Sequence, residues 1–409
     1  MRSVCSRTSG AVLPGATTSL PAVRIVLNTR SSSAGAQASI VGLGRRLSEA
    51  GVDATLNDWE RYDRYDVAIF LGYDHELAAA RAANPRIRVG LADPKQSRRD
   101  WLDAARAADF LLVSSVEQRE AFLRSNGNVH VLYMFPVVPA RERHHEQHET
   151  LVVGYHGNRV HLEAMAGTGV REALEELGRR RPVELHAVYN LAASGRAVRG
   201  MPDERLVRVH HIQLAPGDAP GTTVSQTILD ELAQIDIGIV PNLLPVHGLP
   251  RALRRTSSLE PSLHYEPFDH LLRFKASSNP GRLYPFARLG VPVVADLTPS
   301  LAQFVLDGVS GYLAASPEGW LQALERLAGD PALRTSMATE LVTRLDAAYD
   351  RQVADLLAYL ARPATGPPPV FAGQRTAEDD LRDLPLYAAP SPRPDRERLR
   401  ARLRRLLRP

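Results

Sequence analysis

Short apolar runs alternate with helical segments along most of this 409-residue chain, and no other feature constrains its fold as strongly. In the first 140 residues, helical segments such as Ser97–Ala107 and Val116–Arg124 separate the runs that fit buried strands. Those runs are Val23–Leu27, Asp66–Leu71, Arg86–Leu91 and Asp109–Val113. Strands that alternate with helices form a parallel sheet covered by helices. The pattern therefore predicts a doubly wound α/β unit.

The same alternation restarts after residue 150. The second series of expected strands is Leu151–Tyr155, Val183–Val188, Leu206–Ile212, Ile235–Val240 and Val291–Ala295. A final helical segment is expected from Asp330 to Leu360, with a break allowed inside it. The predicted fold class is α/β, with two tandem Rossmann-like doubly wound domains and a cleft between them.

Composition shifts divide the chain further. The expected parts are a flexible tail over 1–22, an N-terminal domain over 23–140, a linker over 141–150, a C-terminal domain over 151–340, a helix over 341–362, and a Pro-rich linker with a basic tail over 363–409. The run from Arg141 to Glu149 contains three histidines, His144, His145 and His148, which are compatible with a metal site. We favour a solvated linker, because no cysteine and no regular element would fix those ligands.

The basic character of the chain is a property of its last residues. The net charge is +4, whereas Ser391–Pro409 alone carries eight arginines and two acidic residues, so the remaining 390 residues sum to −2. A nucleic-acid partner is therefore not expected. Leucines at 399, 403, 406 and 407 share one helical face among these arginines. Two readings remain: a basic amphipathic helix on an anionic membrane surface, or a solvated end.

Other function classes are excluded by composition. The single cysteine, Cys5, excludes a disulfide framework and a Cys-rich zinc site. No apolar stretch approaches the length of a membrane span, and the first 22 residues contain no apolar signal core. We expect a cytoplasmic protein, peripheral at the inner face of the membrane if the basic tail binds there.

Ligands of open parallel sheets bind beyond the carboxyl ends of the strands, so the loops at those ends hold the candidate site residues. The loop Asn28–Ala36 contains small residues, Gly35 among them, and fits either an anion or sugar loop or an ordinary turn. The next candidate follows the strand Leu151–Tyr155. Its residues are His156, Gly157, Asn158 and Arg159, a turn that suits a phosphate held by a guanidinium.

The segment Arg273–Leu297 has the makeup of a diphosphate site. Lys275 and Arg282 flank Ser278, Asn279 and Gly281 at a predicted helix start, where cations, hydroxyls and backbone N–H groups converge. Lysine is rare here, since only Lys95 and Lys275 occur among 50 basic residues. Lysine and arginine are not interchangeable at a phosphate, so Lys275 is the foremost single candidate.

Three acidic or imidazole side chains follow strands of the first series. Asp74 and His75 come after Asp66–Leu71, and Asp93 comes after Arg86–Leu91. Each fits a catalytic group acting on a reacting hydroxyl, or merely a cap of the next helix.

The C-terminal series resembles the GT-B fold glycosyltransferases, in particular the retaining nucleotide-sugar-dependent group. The resemblance covers Val23 to Ala361 and is strongest in Phe274–Met337. Its motifs are the Lys-Ser-Asn-Gly-Arg segment, Leu289–Ala295 (LGVPVVA), Asp307–Leu313 (DGVSGYL) and Asp330–Arg334 (DPALR).

The resemblance implies an enzyme that moves a sugar from a nucleotide-sugar donor to a glycan, lipid-linked or small-molecule acceptor. The diphosphate would lie on the C-terminal domain, held by Arg159, Lys275 and Arg282 near Asn279 and Gly281. The acceptor would lie on the N-terminal domain. The nucleotide sugar is then a substrate, and no metal or other cofactor is expected.

One departure from the pattern leaves two hypotheses open. Many relatives carry two glutamates eight residues apart, where this chain has Ser277 and Pro285. The missing glutamates favour a catalytically inactive GT-B-like scaffold or partner protein in glycan assembly. The Lys275 and Arg282 pair favours an active glycosyltransferase.

Overall fold

The computed structural model describes residues 23–95, 98–123, 125–191, 198, 200–214, 224–243, 268–269, 274–275 and 279–362. The N-terminal tail over 1–22 and the basic tail over 391–409 lie outside these ranges. The membrane contact of the basic tail therefore stays a prediction. Among the described helices, none is both long enough and apolar enough to cross a bilayer.

The first sheet has six parallel strands in the order β2-β1-β3-β4-β5-β6. They are β1 (Arg24–Asn28), β2 (Asp53–Leu56), β3 (Val67–Leu71), β4 (Arg88–Ala92), β5 (Phe110–Val113) and β6 (Val129–Val131). The helices around them are α1 (Ala34–Ala36), α2 (Gly42–Glu49), α3 (Leu77–Ala83), α4 (Arg99–Ala107) and α5 (Val116–Phe122), with a π-helical turn at Gln37–Val41 and a 3₁₀ turn at Tyr62–Arg64. The central strands β3, β4 and β5 are buried along their whole length, as continuous apolar runs in a parallel sheet require.

The second sheet also has six parallel strands, in the order β14-β13-β10-β7-β8-β9. They are β7 (Leu151–Gly157), β8 (Val183–Tyr189), β9 (Arg208–Gln213), β10 (Ile237–Val240), β13 (Val293–Asp296) and β14 (Tyr312–Ala314). A small antiparallel pair comprises β11 (Phe268–Asp269) and β12 (Phe274–Lys275).

The described helices of this half surround the second sheet and extend beyond it. They are α6 (Arg159–Ala164), α7 (Val170–Arg180), α8 (Gln226–Ala233), α9 (Leu283–Arg288), α10 (Pro299–Ala302), α11 (Pro317–Gly329) and α12 (Pro331–Leu360), with 3₁₀ turns at Met165–Gly167 and Pro280–Arg282.

The two strand orders confirm the predicted fold class of two doubly wound α/β domains. They also locate where each sheet can bind a ligand. The chain reverses its direction of growth between β1 and β3 in the first sheet, and between β7 and β10 in the second. Such switch points open crevices at the carboxyl ends of the strands.

One hydrophobic core joins the two halves. Phe135, which follows the first sheet, stacks on Tyr284 of α9 with ring centroids 4.5 Å apart, and Tyr349 of α12 lies 5.3 Å from the same Phe135 ring. Helix α12 then reaches the first sheet, where Leu360 accepts a hydrogen bond from Arg88 at 2.9 Å. The break allowed in this helix does not occur, because neither Gly nor Pro follows Pro331 to interrupt it.

The solvated linker predicted over Arg141–Glu149 is wrong at two positions. His145 is only 8% exposed, and its Nε2 lies 2.8 Å from the carbonyl oxygen of Gly290. Arg143 pairs with the buried carboxylate of Asp236 at 3.3 Å. These side chains pair with polar groups of the C-terminal half. This part of the run therefore packs against that half. Its three histidines form no metal-binding group in the described part of the chain.

Candidate functional site

A cavity of about 360 Å³ lies between the two sheets, and residues of both halves line it. That volume falls within the range of small-molecule sites. Eight of the residues singled out in the sequence line this cavity: Gly35, Asp93, His156, Gly157, Asn158, Asn279, Gly281 and Arg282. Four of them lie in the turns after β7 and before α9, and the second sheet switches direction beside β7.

Arg282 is the cation of the C-terminal wall. It ends the 3₁₀ turn before α9, where the side chain of Asn279 caps the turn by accepting from the N–H of Gly281 at 3.0 Å. Its Nη2 donates to Oδ1 of Asn242, in the loop after β10. Its Nη1 is buried and has no hydrogen-bond partner among the described residues. The guanidinium carbon lies 5.8 Å from the centre of the Tyr155 ring, and the Arg282 side chain lines the cavity. A planar guanidinium in such a position is suited to bind phosphate oxygens.

A buried carboxylate holds the Asn242 loop in place. Asp296 closes β13 and is fully buried, and it accepts hydrogen bonds from the backbone N–H groups of Asn242 and Leu243. Burial raises the pKa of Asp296 to about 6, although the Leu243 and Asn242 N–H groups and nearby Arg282 act in the opposite direction. This side chain fixes Asn242, which in turn receives Arg282. Asp296 was not predicted as a site residue from the sequence. The sequence feature that could have indicated it is an acidic residue at the end of an apolar run.

His156 supports Arg282 from the other side. Its Nε2 lies 2.9 Å from the carbonyl oxygen of Arg282, and its ring meets Phe286 edge-on at 4.8 Å. Burial lowers the pKa of His156 to about 4, so the ring is neutral at pH 7 and its Nε2–H donates to that carbonyl. His156 therefore positions Arg282 and adds no charge of its own.

Glycine is required at position 157 by both backbone and space. Gly157 has φ of +135°, and a Cβ there would lie 2.8 Å from Cδ of Arg282 and 3.1 Å from the Tyr155 hydroxyl. Any larger residue would displace the guanidinium. The next residue, Asn158, caps α6 by accepting from the N–H of Val160 at 3.0 Å.

The N-terminal wall is smaller and carries one ion pair. Asp93, just beyond β4, has φ of +50°, and its carboxylate lies 2.9 Å from Nζ of Lys95. Both residues line the cavity, and both side chains are less than one-fifth exposed. A non-glycine residue in the left-handed region is uncommon and often marks a functional position.

Three predicted site residues do not line the cavity. Asp74 accepts hydrogen bonds from the backbone N–H of Arg30 and from the Thr29 hydroxyl, and Arg159 pairs with Glu163 of its own helix at 3.4 Å. His75 is half-buried beside Asp74, and burial lowers its pKa.

Two more predicted residues cannot be placed. Ser278 and the side chain of Lys275 lie outside the described residues, as does Ser277. The helix start predicted next to Gly281 agrees with the structure, whereas Lys275 lies ahead of that start, where its backbone pairs with Phe268 in an antiparallel ladder. The helix begins only at Leu283, after the proline-led turn at Pro280.

No protein-family model matches the sequence, and no curated protein matches it. Several solved structures do. Sucrose-phosphate synthase from Thermosynechococcus elongatus is 12% identical, with 82% of this chain and 98% of that chain covered and a TM-score of 0.47. HepE from Anabaena in complex with UDP is 12% identical, with 82% and 100% covered and a TM-score of 0.49. A glycosyltransferase from Rickettsia africae is 8% identical, with 83% and 98% covered and a TM-score of 0.49. The fold assignment rests on the two strand orders.

Proposed function

We propose that this protein is a glycosyltransferase that takes a sugar from a nucleotide-sugar donor and passes it to an acceptor hydroxyl. The observation that carries the proposal is the Arg282 guanidinium, which lines the interdomain cavity and is held there by Asn242 and His156. The sequence resemblance to GT-B glycosyltransferases supports the same assignment.

The chemistry of sugar transfer demands little covalent help from the protein. Negative charge develops on the leaving diphosphate as its bond to the sugar breaks, and a cation fixed beforehand stabilises that charge in the transition state. Arg282 takes this role. Gly157 leaves room for the Arg282 side chain, because a Cβ there would lie 2.8 Å from Cδ of Arg282. Lys275, by resemblance, adds a second cation.

The acceptor binds the N-terminal wall, where Asp93 and Lys95 line the cavity. The Asp93 carboxylate is a suitable acceptor for a hydrogen bond from the sugar-accepting hydroxyl, and Nζ of Lys95 lies 2.9 Å from that carboxylate. The acceptor class that fits the proposal is a glycan, a lipid-linked saccharide or a small hydroxyl compound.

A nucleotide screen tests the proposal directly. The melting temperature of the protein is measured with UDP, GDP, TDP and ADP at increasing concentration. A ligand that binds only the folded state raises the melting temperature in a saturable way. We expect one of the four to do so, and to do so far less in an Arg282→Met variant. If none of the four produces a saturable rise in the unaltered protein, the proposed donor site does not exist.

A second measurement separates an active enzyme from an inactive scaffold with an intact site. The nucleotide that raises the melting temperature is supplied as its common sugar conjugates, and release of the free diphosphate is followed with and without a mixture of glycan acceptors. We expect release well above the rate without protein, and a reduced rate in Asp93→Asn. Nucleotide binding with no release under any condition would favour the scaffold.

A further inference from the structure

A cluster of histidine and glutamate side chains lies on one face of the second sheet. Parallel pairing places His186 of β8 beside His210 of β9, and Glu184 lies two residues before His186, hence on the same face. Further along that face, Val188 belongs to the hydrophobic core and Ile212 packs against it, together with apolar residues of α8. The cluster therefore interrupts an otherwise apolar face.

The donor atoms of these three residues converge. Oε2 of Glu184 lies 3.3 Å from Nε2 of His210 and 3.7 Å from Nε2 of His186, and one ligand atom from each residue falls within 4.8 Å of the others. The two imidazole rings are 4.9 Å apart. Nε2 of His210 is buried and makes no hydrogen bond with any described residue.

The surrounding groups prepare the three residues to bind a cation. Arg208 occupies the other carboxylate oxygen of Glu184 at 3.2 Å, which leaves Oε2 directed at the histidines. The second nitrogen of His186 faces Oε2 of Glu231, from helix α8, at 3.7 Å.

We propose that Glu184, His186 and His210 form a binding site for a divalent transition-metal ion of the zinc class. Two imidazole nitrogens and one carboxylate oxygen are a zinc donor set, with a fourth position left for water. Glu231 is a positioning residue through its charge: its Oε2 lies 3.7 Å from the second nitrogen of His186, beyond hydrogen-bond distance, and favours an N–H at that nitrogen.

The metal would connect strand β9, at the edge of the sheet, to β8 and, through Glu231, to helix α8. No residue of the cluster is among the described residues that line the interdomain cavity. The site is therefore distinct from the proposed sugar-transfer site, and its metal takes no part in that reaction. Its expected contribution is to hold α8 against the outer strands.

Zinc binding by the full-length protein tests this proposal. The protein is treated with a chelator, dialysed, and titrated with zinc sulfate in competition with a chromophoric zinc indicator. We expect one equivalent of zinc to bind with a dissociation constant in the micromolar range or below. His210→Asn and Glu184→Gln should each weaken that binding by at least about 100-fold, because each removes a ligand.

The matched control is His211→Asn. His211 is adjacent in β9, but its side chain points to the opposite face, where Nδ1 lies 3.1 Å from the Tyr189 hydroxyl. Zinc affinity should stay within about twofold of the unaltered protein. Circular dichroism of each variant confirms folding, and two independent ligand variants keep the test decisive if one of them misfolds.

Cobalt(II) gives a second readout that does not depend on affinity alone. Bound in the proposed site, it should show the intense visible absorption of a four-coordinate ion, and that absorption should disappear in His210→Asn. The proposal is overturned if the unaltered protein binds no zinc equivalent, or if His210→Asn and Glu184→Gln bind zinc as tightly as the unaltered protein.

Discussion

The two walls of the interdomain cavity are built in different ways. On the C-terminal wall, a continuous chain of contacts runs from the partly buried His156 and Arg282 to the buried Asn242 and Asp296. The N-terminal wall carries the pair of Asp93 and Lys95, and Arg30, outside the cavity lining, is 53% exposed and pairs with Asp74 and Glu76. Both walls belong to similar parallel sheets, so the difference does not come from the fold.

Under the proposed function, the difference follows from what each wall would bind. A diphosphate has concentrated charge and one geometry, and cations fixed beforehand stabilise it without reorganising during the reaction. An acceptor hydroxyl is neutral and needs fewer fixed partners. We therefore interpret the C-terminal wall as preorganised and the N-terminal side as adjustable. The predictions below test that contrast.

The largest expected effect is on stability and comes from Asp296→Ala. The substitution leaves the buried N–H groups of Asn242 and Leu243 without an acceptor. At about 1–3 kcal/mol for each of the two unsatisfied groups, the free energy of unfolding should fall by about 2–6 kcal/mol. Urea denaturation measures it.

Asp296→Asn is the matched control, since an amide oxygen can accept the same two bonds, and its loss should be less than half as large. A loss below 1 kcal/mol in the alanine variant would mean that the C-terminal wall does not depend on this carboxylate.

The next effect concerns ligand affinity. Arg282→Met keeps most of the side-chain volume and removes the charge. A charge-assisted hydrogen bond contributes about 1.5–3 kcal/mol, so affinity for the nucleoside diphosphate should fall roughly 10- to 100-fold. Isothermal titration calorimetry measures the change. Arg30→Met, on the exposed side, should alter affinity by less than about twofold. Equal losses of affinity in the two variants would contradict the proposed difference between the two walls.

The third effect is a pH dependence carried by His145. Burial lowers the pKa of His145 to about 4, below the ordinary value of 6.5, so the unfolded chain binds a proton that the folded protein does not. The stabilising contribution is complete above pH 6.5 and is lost as the pH falls towards 4. His145→Gln keeps a donor for Gly290 and removes this titration.

Urea denaturation between pH 4 and pH 7 measures that effect. Below pH 6.5, the stability of the unaltered protein should fall more steeply with acidification than that of His145→Gln, by up to about 1.4 kcal/mol per pH unit. Parallel curves for the two proteins would show that this segment is not packed into the C-terminal half.

The smallest effect is expected from Arg30→Ala. Arg30 pairs with Asp74 and Glu76 and lies 3.6 Å from the centre of the Trp59 ring, all at an exposed position. Exposed ion pairs contribute little, so the free energy of unfolding should fall by less than about 1 kcal/mol. Chemical denaturation at low and high salt provides the comparison. A fall in the free energy of unfolding of more than 2 kcal/mol would mean that the N-terminal side is also rigid.

The sequence was most informative where one kind of residue repeats at short range. Buried strands such as Val67–Leu71 are continuous apolar runs, and such runs allow few alternatives. Gly157 and Arg282 were both predicted as donor-site residues, the first from the turn after a strand and the second from a predicted helix start, and both line the cavity.

Long-range polar contacts could not be predicted in this way. In the sequence, Arg143 and His145 resemble residues of a solvated linker. Their burial is explained by contacts made in the folded chain, among them those with the carbonyl groups of Ile235 and Gly290. The cluster of Glu184, His186 and His210 joins two strands separated in sequence. The alternation of Glu184 and His186 in one strand was its only local signal.

A crystal structure with the nucleoside diphosphate that binds tightest tests the central claim most directly. We predict a phosphate oxygen at about 3 Å from the Arg282 guanidinium, close to Gly157, with the positions of Asn242 and Asp296 unchanged on binding. Phosphates bound instead at Arg30 or Lys95, with Arg282 still paired only to Asn242, would contradict the proposal that the C-terminal wall is the preorganised donor site.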